Sequence, residues 1–89
     1  MRVKYLLDVL KPHSPSVDFV AHALMDVNGV DRVSVKLDEL DQKTASLHIN
    51  IAGSDISFEE LTNKMEELNC AIHSIDEVSI GQDDTKTDF

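Results

Sequence analysis

Four stretches with a two-residue alternation of apolar and polar side chains are interrupted by two stretches with a helical stripe, in the order strand, helix, strand, strand, helix, strand. Period two puts successive side chains on opposite faces of a sheet, and period 3.6 puts one stripe on one face of a helix. The first alternation is Val3, Tyr5, Leu7 and Val9 against Lys4, Leu6 and Asp8; Leu6 makes this strand apolar on both sides, as a central strand should be. The second is Val33, Val35 and Leu37 against Arg32, Ser34 and Lys36, and the third is Leu47, Ile49 and Ile51 against Ser46, His48 and Asn50. Only the polar turn around Asp41-Gln42-Lys43 separates these two, so they pair as a hairpin. The last strand, from Ala71 to Ile80, does not alternate cleanly: Ile72, Ile75, Val78 and Ile80 are spaced by three and two, which predicts a bulge near Asp76-Glu77.

Helix boundaries are written in the chain. Ser14 as cap and Pro15 at the first helical position open the first helix, whose buried stripe is Val17, Val20, Ala21 and Leu24. Asn28-Gly29 closes it, glycine being able to take the left-handed conformation there. Ser57-Phe58-Glu59-Glu60 is a capping box for the second helix, with Ile56 and Leu61 placed as a hydrophobic staple and Phe58, Leu61, Met65 and Leu68 as the core face. Two β-α-β units joined by a hairpin are a ferredoxin-like α+β fold, βαββαβ. Right-handed crossovers give an antiparallel sheet of order 4-1-3-2 with both helices on one face. The second and fourth strands are then open edges, and the other sheet face is uncovered. Residues 1–81 form one ferredoxin-like domain, and the polar stretch 82–89 is expected to be a disordered acidic tail.

Charge narrows the function classes. Seventeen Asp and Glu against eight Lys and Arg give a net charge of -9, which repels phosphate backbones and attracts cations. Nucleic acid is a poor partner. One Tyr and three Phe leave no aromatic sheet face for stacking bases. Cys70, the single cysteine, excludes an intrachain disulfide and a Cys-rich zinc site and suits a reducing cytoplasm. The apolar N-terminal stretch is broken by Asp8 and Pro12, so it is read as neither a signal peptide nor a membrane span.

Antiparallel pairing brings the start of the last strand beside the end of the first. That places Asp8, and His13 in the following loop, near His73, Asp76 and Glu77. Hard cations such as calcium want several oxygen ligands, which carboxylates from one chain or from two meeting chains supply. In the plainer alternative, Asp8 and His73 make a local hydrogen bond while Asp76 and Glu77 keep an edge strand from aggregating. His22 with Asp18 and Asp26, and the hairpin acids Asp38, Glu39 and Asp41, read as solvated charge.

The segments LLDVLKPHSP, VSVKLDELDQKT, SDISFEELTNKME and AIHSIDEVSIG resemble the archaeal family known as domain of unknown function 211, across about residues 3 to 81. The resemblance implies a ferredoxin-like fold, ring-forming members and calcium as a ligand, with Asp8, His13, His73, Asp76 and Glu77 in its characteristic segments. Cys70-Ala71 departs from the Gly-rich turn expected after Asn69. The leading expectation is a non-enzymatic homo-oligomer, a ring, that takes up a divalent cation. A small-molecule sensor like the ACT domains and an enzyme with a His/Asp acid–base pair are the alternatives.

Overall fold

A computed structural model describes residues 1–83, so most of the expected tail lies outside the described residues. The order is β1 (Arg2–Pro12), α1 (Val17–Leu24), β2 (Val30–Leu40), β3 (Thr44–Ser54), α2 (Phe58–Glu67) and β4 (Ala71–Gly81). The strands form one antiparallel sheet of order β2-β3-β1-β4, the ferredoxin-like arrangement.

The register assigns the faces. Leu7 pairs with Ile49, and Val9 with Leu47, and all four are buried under Val20, Leu24, Leu61 and Met65 of the helices. The even-numbered residues of β1 therefore stand on the open face. The capping box starts α2 as expected: Ser57 Oγ accepts the Glu60 N–H at 3.2 Å. α1 ends at Leu24 with Met25 as its C-cap, before the Asn28-Gly29 pair expected to close it; Gly29 instead takes φ +91° in the turn that leads into β2, and its carbonyl accepts the Ser54 N–H at 2.9 Å. The Asn69-Cys70-Ala71 link, without glycine, is made by Asn69 in the left-handed region at φ 60°.

The start of α1 differs as well. The cap of α1 is Ser16, whose Oγ accepts the Phe19 N–H at 3.1 Å, and Ser14-Pro15 belongs to the preceding loop. The reason is Lys11. Its ammonium is buried at that end of the core and takes the carbonyls of Pro12, His13 and Pro15 as acceptors, which holds residues 12–15 wrapped around it and out of the helix.

The bulge expected near Asp76-Glu77 is present. Leu6 pairs with Glu77 and Leu7 with Ile75, so Asp76 has no opposite number. A second bulge leaves out His73 between Ser74 and Ile72. The other edge, β2, is interrupted in the same way at Asp31 and Asp38. Each edge thus carries two irregularities, which bend it away from indiscriminate strand pairing.

Candidate functional site

Ionisable side chains gather on the open sheet face and along β4. Asp8 is flanked by His48 on β3 and by Ser74 on β4. Ser74 Oγ in turn donates to Asp76 Oδ1 at 2.8 Å, and Ser79 Oγ donates to Glu77 Oε2 at 2.9 Å. Both carboxylates are oriented by a hydroxyl two residues away and remain exposed. The Lys4 ammonium lies 4.0 Å from Glu77.

The five candidate residues are therefore distributed as follows. His73, Asp76 and Glu77 share the outer strand. Asp8 is one strand inward, with Ser74 rather than His73 as its register partner. His13 turns toward the β2–β3 hairpin, where its Nε2 lies 3.0 Å from the Asp41 carbonyl oxygen. Among the described residues no three His, Cys, Asp or Glu side chains are gathered closely enough to hold a metal ion.

Sequence reasoning passed over His48 and Lys36. Alternation in β3 puts His48 on the open face, but only the register reveals that it lies between Asp8 and Lys36. His48 Nε2 is 3.5 Å from Asp38 of the β2 bulge. At the far end of β2, Arg2 grips Asp31 at 2.7 Å and holds that carboxyl below its usual range. His22 and Asp18 stand in solvent on α1, as a polar helix face should.

Among the surface depressions, two are lined by Lys, Asp or Glu side chains. One, of about 300 Å³, lies between the end of α1 and α2 and is lined by Asp26, Glu60 and Glu67, with Lys64 set against Glu67 at 3.7 Å. The other, of about 190 Å³, lies on the open sheet face and is lined by Leu6, Ser34, Lys36, His48, Ile49 and Asn50. No helix among the described residues is long and apolar enough to cross a membrane.

The family DUF211, described as "Uncharacterized ArCR", matches residues 3–87. A protein of Methanocaldococcus jannaschii named "Uncharacterized protein MJ0319" is 35% identical over 79 residues, covering 89% of this chain and 81% of the relative.

Proposed function

This chain belongs to the DUF211 family, and we propose that it is a non-enzymatic, homo-oligomeric binding protein that takes up a divalent cation, calcium first, through carboxylates. One observation carries the reading. The two opposite edges of the sheet each expose apolar side chains on the helix side, beyond the cover of the helices: Leu37 and Leu40 on β2, and Ile75, Val78 and Ile80 on β4, all between 48% and 65% exposed. Half-exposed chains of this size contribute about 1 kcal/mol each when a partner covers them.

Patches at opposite edges of one molecule favour head-to-tail contacts, which close into a ring when the rotation allows. Such a ring multiplies a charge of -9 per chain. Cations between copies offset that repulsion. Asp76 and Glu77, with His73 beside them on the exposed edge, supply oxygens from one copy, and the neighbour completes the shell that one chain leaves unfinished.

Calorimetric titration with calcium and with magnesium tests the cation. Heat of binding that disappears in Asp76→Asn/Glu77→Gln supports it. Absence of heat at millimolar calcium, or binding unaffected by the double variant, removes it.

A further inference from the structure

The open sheet face satisfies most of its charges within the chain. Arg2 grips Asp31, Lys4 stands against Glu77, His48 against Asp38, and Asp76 accepts the Ser74 hydroxyl. Among the described residues, Asp8, Lys36, Arg32 and Glu39 of this face make neither an ion pair nor a side-chain hydrogen bond. Arg32 and Glu39 lie toward the two ends of β2 and do not line the face's depression. Lys36 and Asp8 share one row across the sheet, with His48 between them.

That row has two features that the fold itself does not use. Asp8 is half-buried, and a half-buried carboxylate that accepts no hydrogen bond gives up hydration without compensation. Lys36 lines the depression of about 190 Å³ together with Leu6, Ser34, His48, Ile49 and Asn50. The side chains of Ser34 and Asn50 are likewise without a hydrogen-bond partner among the described residues. We propose that this row and its depression form a site for a small zwitterion, an α-amino acid with a short uncharged side chain, its carboxylate held by Lys36 and its ammonium by Asp8.

Charge selects the class. A simple anion is opposed by the net charge of -9 and by Asp8 and Asp38 close by, and a simple amine meets the ammonium of Lys36. A zwitterion adds no net charge and offers each free group its opposite. The span agrees. Lys36 and Asp8 stand two strand spacings apart, about 9.6 Å. The nitrogen and carboxylate oxygen of an α-amino acid are about 3 Å apart, and a charge-assisted hydrogen bond of about 2.8 Å at either end brings the chain of contacts to about 9 Å.

The bound molecule then lies over His48, whose Nε2 Asp38 engages. Its side chain enters the neighbouring row, Ser34, Asn50 and Leu6, where the depression lies. That volume equals about six waters, which suits a side chain of as many non-hydrogen atoms or fewer. Leu6 supplies an apolar wall, and Ser34 and Asn50 supply hydrogen bonds. The charge on this row is Glu77 of β4, which Lys4 and Ser79 already engage, so a charged side chain gains no free partner there. The site lies apart from the β4 edge where Asp76 and Glu77 are proposed to take a cation, and it does not depend on that reading.

Calorimetric titration in excess chelator, with glycine, L-alanine, L-serine, L-asparagine and L-leucine as probes, tests the site without any divalent cation. At least one of these amino acids is expected to bind, and its amide and its N-acetyl derivative, each lacking one of the two charges, to bind about tenfold or more weaker. Lys36→Gln and Asp8→Asn each weaken the amino acid by about tenfold or more, whereas Arg32→Gln, outside the depression, leaves its affinity unchanged. All three positions are exposed or half-buried, and far-UV circular dichroism verifies that the variants fold. Neither heat nor a thermal shift from any of the probes at tens of millimolar overturns the proposal. Equal binding of the blocked derivatives overturns it too, as does an affinity that neither Lys36→Gln nor Asp8→Asn changes. Calcium uptake, measured without chelator, stands or falls separately.

Discussion

The ammonium of Lys11 donates a 2.6 Å hydrogen bond to the carbonyl oxygen of Pro15, four residues ahead, and it does so with only 3% of the residue exposed. Pro12 and His13 offer their carbonyls to the same nitrogen at 2.7 and 3.3 Å. A buried ammonium is tolerated only when its three donors are met, and here one side chain organises the whole turn between β1 and α1.

Lys11→Met keeps the aliphatic stem and removes the donors. Three carbonyls then lose a charged partner, and stability should fall by about 2–3 kcal/mol, read from the urea midpoint. An unchanged midpoint would mean that water replaces the ammonium at no cost.

The caps can be told apart by substitution. Ser16→Ala and Ser57→Ala each remove an oxygen that accepts a helix N–H, and each should cost about 1 kcal/mol. Ser14→Ala should change thermal stability little, since Ser14 precedes the helix and does not cap it. The opposite ranking of Ser14 and Ser16 would restore the boundary suggested by Pro15.

Cys70 is buried, and burial pushes its thiol above the ordinary value of 9.0 despite the opposing pull of Lys11. Below pH 9.0 the thiol is protonated in both folded and unfolded chains, and its contribution to stability is fully present. Above it the unfolded chain releases a proton that the folded chain retains, so stability declines as pH rises further. Cys70→Ala should flatten that decline relative to wild type. In the native protein at neutral pH an aromatic disulfide reagent should titrate Cys70 slowly, and fast stoichiometric labelling would contradict its burial.

Much of the fold is legible in local chemistry. Val33-Ser34-Val35-Lys36-Leu37 can only be a one-sided strand, and Ser57 followed by Glu60 can only open a helix economically, so element types and order follow from side-chain period and cap. The uneven spacing of Ile75 and Val78 foretells the bulge at Asp76 because a one-residue insertion is the cheapest way to return Val78 to the helix side. The bulge at His73 leaves a subtler trace, since the step from Ile72 to Ile75 fits more than one register. The cap at Ser16 could not be read, because what displaces Pro15 from the helix is the buried amine of Lys11, a tertiary contact with no local signature. The same holds at the site: β3 alternation announces an exposed His48, but its place between Asp8 and Lys36 is fixed by pairing with two other strands.

The central claim joins assembly to a divalent cation. Multi-angle light scattering of the purified protein, in millimolar calcium and again in excess chelator, tests it most directly. The account expects a closed assembly of many 9.9 kDa chains with calcium and a smaller species with chelator, with Asp76→Asn/Glu77→Gln resembling the chelated protein even when calcium is present. A single-chain mass under both conditions, at concentrations well above micromolar, would contradict both the assembly and the cation that is meant to bridge it.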